Sequence, residues 1–220
     1  MSLHDQLPLR NRRQAGELLA AELDLLRDEP DLLVLGLPHG GMPVAWEVAR
    51  ALHAPMDAFV VRKISMPQHP EFVIGAIAQG GVQVLDPVPA RVARPIDVEA
   101  AIERETEELL RRQQLLRPDM PPLTLRGRSV LLVDDGMATG ATMEAAVRAA
   151  RALQPRQLAV AAPVGSAAAV ARLRPLVDLL VIGATPEPFG TVAVWYRDFP
   201  RCSDEEVQAL LAQARHAEAV

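Results

Sequence analysis

Residues 130–142 read VLLVDDGMATGAT and concentrate the residue types best able to do chemistry. An apolar run delivers two adjacent acids, Asp134 and Asp135, and a loop follows: Gly136, Met137, Ala138, Thr139, Gly140, Ala141 and Thr142. A helical pattern begins directly after it. A loop of small residues lets backbone N–H groups converge on an anion, and the N-terminus of the next helix adds partial positive charge. The hydroxyls of Thr139 and Thr142 can donate to phosphate oxygens. Two carboxylates would repel a bare phosphate. They fit as acceptors for sugar hydroxyls, or as holders of a hydrated Mg²⁺. A phosphate cradle beside acceptors for a diol describes a ribose 5-phosphate site. The plainer alternative, a strand–turn–helix with acidic caps, requires neither both acids nor so many small residues.

Two more segments could take part. GLPHGGMPVA, residues 36–45, follows an apolar run, and Gly40 and Gly41 permit close backbone approach to a ligand. Alone it also reads as a Gly-rich strand-to-helix turn. Arg62 and Lys63 follow a second strand candidate, residues 56–61, where fixed cations suit a leaving group that gains negative charge. A solvated basic pair is the alternative. RKISMPQHPEF, residues 62–72, is expected to be a loop, and 65–72 a lid that excludes water or an ordinary surface loop. No G-x-x-x-x-G-K-[ST] and no G-x-G-x-x-G occurs. His4, His53, His69 and His216 lack metal-ligand spacing. His53 reads as a helix C-cap, and Glu144 as a first-turn partner of the helix dipole.

Adjacent acids and a small-residue loop ending in T-G-x-T, after an apolar strand, resemble the phosphoribosyl pyrophosphate signature of type I phosphoribosyltransferases. The resemblance extends over most of the chain, through LRNRRQAGELLA, LPHGGMPVAWEVA, VRKISMPQHPEFVIGAIA, GRSVLLVDDGMATGATMEAAVRA and WYRDFPRCSDEEV. It implies that Asp134 and Asp135 hold the ribose hydroxyls and, through water, Mg²⁺. It implies that the loop Gly136–Thr142 holds the 5-phosphate, chiefly through residues 138–142. Pro38, His39, Gly40 and Gly41 would form the pyrophosphate loop, with His39 where relatives often carry Arg. Arg62 and Lys63 would reach the pyrophosphate, Lys63 joining the acids as a catalytic residue.

The expected activity is a Mg²⁺-dependent transfer, within nucleotide metabolism. The phosphoribosyl group would pass from 5-phosphoribosyl-1-pyrophosphate to a nitrogenous base or similar acceptor, releasing pyrophosphate. The alternative is a non-catalytic regulatory protein that binds the same donor or a nucleotide. A homodimer is implied by the resemblance only. Enzymes for 6-oxopurines usually carry Asp where Ala138 stands, whereas adenine-type loops also carry Ala. Candidates to stack on the acceptor are Phe189, Trp195, Tyr196 and Phe199, each of which also reads as core. Glu71 is a candidate acid or base, or a solvated loop carboxylate.

These residues need elements to position them. Helices are expected over 12–27, 41–52 and 96–116, the last with acid-rich first turns and base-rich last turns, and strands over 32–36 and 56–61. Residues 73–85 read as a hairpin about Gly80 and Gly81. Prolines break regular structure over 86–96 and again at RPDMPP. From residue 129, strands SVLLVD, QLAVAAPV and VDLLVIG alternate with helices, and DEEVQALLAQAR closes the chain. That alternation implies an α/β fold, a mostly parallel sheet with helices on both faces. The expected organisation is one domain over 1–220, with a lid or hood from an insertion at about 64–120 or from the C-terminal tail. The 220 residues carry a net charge of -5 and a single Cys, Cys202. Net acidity argues against nucleic-acid binding. One cysteine, no signal-like N-terminus and no apolar run of roughly 18 residues make a cytoplasmic protein with no membrane partner the expectation.

Overall fold

A computed structural model describes residues 3–66, 69–86, 94–118 and 123–218. The central sheet is parallel. It contains β1 (Leu32–Gly36), β2 (Met56–Ala58), β6 (Ser129–Val133), β7 (Gln157–Val164) and β8 (Leu179–Ala184), in the order β2-β1-β6-β7-β8. Between β2 and β6 the chain builds a separate antiparallel sheet from β3 (Val61–Met66), β4 (His69–Ala78) and β5 (Val82–Leu85). The helices are α1 (Arg12–Glu22), α2 (Gly41–Leu52), α3 (Pro95–Leu116), α4 (Ala141–Ala152), α5 (Ala167–Leu173) and α6 (Asp204–Glu218).

Alternation along each strand sorts the core into two layers. Leu32, Val34, Leu131 and Val133 face one side, where they join Leu19 of α1, Val48 of α2 and Leu211 of α6. Leu33, Leu35, Val130 and Leu132 face the other, against Met143 and Val147 of α4 and Leu173 of α5. Parallel strands buried on both faces require such continuous apolar runs. The expected α/β fold with helices on both faces is what forms, and the antiparallel sheet fits a hood.

Three expectations need correction. The helix expected over 12–27 ends at Glu22 and continues as a 3-10 turn, Asp24–Leu26. The strand expected over 56–61 is two. β2 stops at Ala58, the fully buried Phe59 donates its N–H to Gly36 O at 2.9 Å, and β3 starts in the other sheet. The buried Gln79 stitches this break: its Nε2 donates to Ala58 O at 3.1 Å and its Oε1 accepts from Val60 N. An apolar run cannot itself show that its two ends bond to different sheets. For the same reason residues 62–72 are not a loop. Arg62 and Lys63 lie within β3, which pairs with β4 from Val61↔Ala78 to Met66↔His69. Pro67 and Gln68 lie outside the described residues.

The hairpin about Gly80 and Gly81 is present, both with positive φ. Three residues, 79–81, join the register partners Ala78 and Val82, and short hairpin loops of this kind need glycine where φ is positive. α3 holds its bases one turn before its end: Arg111 and Arg112 precede an uncharged QQLL. Just after it Arg117, which is buried, donates from Nε to Asp57 Oδ1 of β2 at 2.8 Å, tying the end of α3 to the central sheet. The proline-rich readings at 87–93 and 119–122 lie outside the described residues.

Candidate functional site

From β1 the chain passes to β2 on one side, and later to β6 on the other. Strand order therefore reverses between β1 and β6, and the crevice beyond their carboxyl ends is where open α/β sheets bind ligands. Gly36 and Val133 are register partners, so the loops 37–41 and 134–140 leave the sheet side by side. Leu37 N donates to Val133 O at 2.9 Å. The loops then touch at the glycines. A Cβ on Gly40 would stand 2.0 Å from Asp135 Oδ2, and one on Gly41 would stand 2.6 Å from Val133 O. Only glycine allows this approach.

The two acids occupy unlike surroundings. Asp135 Oδ2 accepts from Arg12 Nε at 2.7 Å, the two side chains being 13% and 11% exposed. Arg12 also donates to Pro200 O at 2.6 Å, and its guanidinium lies 3.8 Å over the centre of the Phe199 ring. The Tyr196 hydroxyl donates to Asp135 O at 2.6 Å. Asp134 Oδ1 accepts the Asp135 N–H at 2.9 Å. Burial pushes the Asp134 carboxyl well above its ordinary range, and the neighbouring Asp135 charge pushes it further. Burial also raises Asp135, and Arg12 opposes that rise. The acids thus form one coupled unit in which Asp135 has the cation and Asp134 is the better proton holder.

The small-residue loop is pinned from outside. Met137 N donates to Val164 O, Ser166 N donates to Met137 O, and the Ser166 hydroxyl donates to Ala138 O at 2.6 Å. Ser166 also caps α5 by accepting from Ala169 N. Gly140, at φ 71, turns the chain into α4. Thr139 Oγ1 accepts from Ala141 N at 3.3 Å. The first N–H groups of a helix have no intrahelical carbonyl, so the start of α4 presents donors where the loop ends. Glu144 in this first turn pairs with Arg148 and with Arg172 of α5, as a dipole partner would.

His39 Nε2 lies 2.7 Å from Asp204 Oδ1, joining the first loop to the start of α6. The peptide Pro38–His39 is cis. Arg62 is held by α3: its Nε donates to Glu105 Oε2 at 2.9 Å. The exposed Lys63 lines two clefts against α4. One, of about 600 Å³, runs from Pro38 and Thr142 past Arg62 to Arg104 and Arg112 of α3. The other, about 510 Å³, has Phe72, Val73 and Val84 of the hood on one wall and Glu144 and Arg148 on the other. Asp134 and Asp135 are not among the described lining residues of either.

The fold therefore brings together the acids, the small-residue loop and residues 38–41, with Arg62 and Lys63 on the wall of the adjoining cleft. It gives the expected aromatics other duties. Phe189 and Tyr196 are buried, Trp195 Nε1 donates to Phe189 O at 2.8 Å, and Phe199 underlies Arg12. None is among the described residues lining either cleft, whereas Phe72, 38% exposed, lines one. Nothing is described of the Glu71 side chain. Residues the sequence reading missed are Arg12, Tyr196 as a support for Asp135, Asp204 and Arg104. Arg12 stands 123 positions from its partner, and no local spacing could announce that pair. No group of three or more His, Cys, Asp or Glu able to cage a metal occurs among the described residues. Nor among them is any helix long and apolar enough to cross a membrane.

Comparison with known proteins agrees with the geometry. The family model described as "Phosphoribosyl transferase domain" matches residues 7–178. Proteins of two Mycobacterium tuberculosis strains, each named "Putative phosphoribosyl transferase" (Rv0571c and MT0597), are 43% identical over 207 residues, or 93% of this chain. The chain spans about half the length of these curated relatives, 46% of each. The crystal structure of TT1426 from Thermus thermophilus is 42% identical, with a TM-score of 0.86, over 93% of this chain and 97% of that one.

Proposed function

The chain belongs to the phosphoribosyl transferase domain family, and on that premise we propose that it is a Mg²⁺-dependent phosphoribosyltransferase using 5-phosphoribosyl-1-pyrophosphate. The observation that carries this reading is the pairing of Asp134 and Asp135 with the pinned loop Gly136–Thr142, at the reversal of strand order and against Gly40 and Gly41.

In this reading Asp134 and Asp135 accept from the ribose hydroxyls. Ala138, Thr139, Gly140, Ala141 and Thr142 hold the 5-phosphate through loop amides, hydroxyls and the α4 terminus, with Gly136 and Met137 setting the loop's path. Pro38, His39, Gly40 and Gly41 bring backbone to the pyrophosphate, and Arg62 and Lys63 add positive charge. An acceptor nitrogen attacks the anomeric carbon as its bond to the pyrophosphate oxygen breaks, and the bonding pair leaves on pyrophosphate. Orienting the ribose and meeting the leaving charge with preset donors are the chain's own contributions. The donor set fits a Mg²⁺ that arrives with substrate phosphates. Oxygen ligands from one or two carboxylates suffice when phosphates and water complete the shell, and no protein cage is needed. Asp134 and Asp135 would hold it through water, where it would neutralise phosphate charge.

The test is pyrophosphate release from the donor in Mg²⁺ against a panel of nitrogenous acceptors. Release that requires both an acceptor and the acids supports the reading. Donor binding without release on any acceptor would favour a regulator. A chain that binds no donor has neither function.

A further inference from the structure

The cleft of about 600 Å³ beside the donor loops has a cationic wall of which the donor reading uses only Arg62 and Lys63. Arg62, Lys63, Arg104 and Arg112 line it, and Glu105 is the one carboxylate among its described lining residues. Glu105 is 6% exposed and works as a hub. Its Oε2 accepts from Arg62 Nε at 2.9 Å, and its Oε1 accepts from Arg104 at 3.0 and 3.2 Å. Arg104 also donates to Ser65 O at 2.9 Å. Glu105 is buried, but Arg62 and Arg104 are 28% and 46% exposed, and ion pairs to cations so open to water add little stability. What the triad does achieve is orientation: two guanidinium groups are fixed side by side, each with N–H donors to spare. Arg112 stands two turns further along α3, about 12 Å at 1.5 Å per residue. It pairs with Glu108 on its own helix.

This cationic wall is longer than a diphosphate, and half of it comes from α3, which belongs to neither donor loop. At the end where Pro38 and Thr142 lie, the cleft meets both donor loops. Arg104 lines the same cleft with Ser65 and Met66, and it comes from α3, not from either donor loop. A neutral base would gain nothing there, whereas an anionic substituent would meet oriented, partly desolvated donors.

We infer that the acceptor carries an anionic group, a carboxylate on a nitrogen heterocycle, and that Arg104, oriented by Glu105, reads it, while Arg62 on the other oxygen of Glu105 serves the pyrophosphate. This rests on the donor assignment under the proposed function. The step is the same substitution at the anomeric carbon: the acceptor nitrogen's pair forms the new bond and pyrophosphate departs with the old one. The carboxylate stays intact and only fixes orientation.

The test uses matched acceptors that differ in that charge: pyridine-3-carboxylate against its amide, and 2,4-dioxopyrimidine-6-carboxylate against the same ring without the carboxylate. Wild-type protein is first titrated with donor and Mg²⁺ by calorimetry. Pyrophosphate release should favour the acidic member of at least one pair by tenfold or more in kcat/KM. Arg104→Gln, shown folded by circular dichroism and melting, should raise the KM of that acceptor at least tenfold and leave donor Kd within twofold. Donor binding with turnover only on neutral bases, or on none of the four, overturns this inference while sparing the donor assignment. A tenfold loss of donor affinity in Arg104→Gln with acceptor KM unchanged also overturns it, by giving the cations to the diphosphate. Failure of the wild type to bind donor sinks both.

Discussion

A carboxyl held above its ordinary pKa by burial costs the fold stability whenever it is ionised, and Asp134 is such a group. Between the ordinary value and the raised one the folded state binds more protons than the unfolded, so stability falls as pH rises through that window. Above it the cost is fully present. Asp134→Asn removes the charge and keeps an oxygen to accept the Asp135 N–H. The ligand-free variant should therefore melt at a higher temperature than wild type at pH 8, with a flatter pH profile, while losing donor binding. A lower melting temperature would contradict the assignment of strain to this carboxyl. Gly40→Ala tests the neighbouring contact, since its methyl would overlap the Asp135 carboxylate. Calorimetry should show donor affinity lowered by tenfold or more, because Asp135 must move and Arg12 with it. The chemistry of these residues was legible in the sequence because adjacent acids and a small-residue loop lie within one short segment. Arg12 was not, because its role depends on Phe199 and Pro200 far along the chain.

Among the elements, the strands and helices from 129 onward follow the hydrophobic pattern closely, since strands buried on both faces leave a continuous apolar signature. The hood was harder. β3 looked like a loop because its residues, RKISM, are half-buried or exposed apart from Ile64. Its pairing with β4 is also irregular, with register shifts on either side of Ser65. One tie from α3 to the central sheet is the Asp57–Arg117 pair, for which no local spacing gives a signal. Arg117→Ala leaves Asp57 charged and largely out of water, and losing one partner of a buried pair typically costs about 3–5 kcal/mol. Urea unfolding should show a loss of that order. A change below about 0.5 kcal/mol, ordinary for a surface site, would mean that the pair does not anchor α3.

Across the whole molecule, the acids are held by parts distant in sequence. The segments 9–12 and 195–200 bond to each other through Leu9 N to Trp195 O and Arg197 N to Leu9 O. Both then close on Asp135, Arg12 at its carboxylate and Tyr196 at its carbonyl. Because they share one partner, Arg12→Ala and Tyr196→Phe should be non-additive by at least about 0.5 kcal/mol in a double-mutant cycle of stability. Strict additivity would mean that the two segments act separately. The central claim is that Asp134, Asp135 and the loop after them bind the phosphoribosyl donor. Calorimetric titration of 5-phosphoribosyl-1-pyrophosphate in Mg²⁺, on wild type and on Asp134→Asn with Asp135→Asn, tests it most directly. Saturable binding by the wild type and none by the folded double variant is the predicted result. Equal affinity in the two proteins would contradict it.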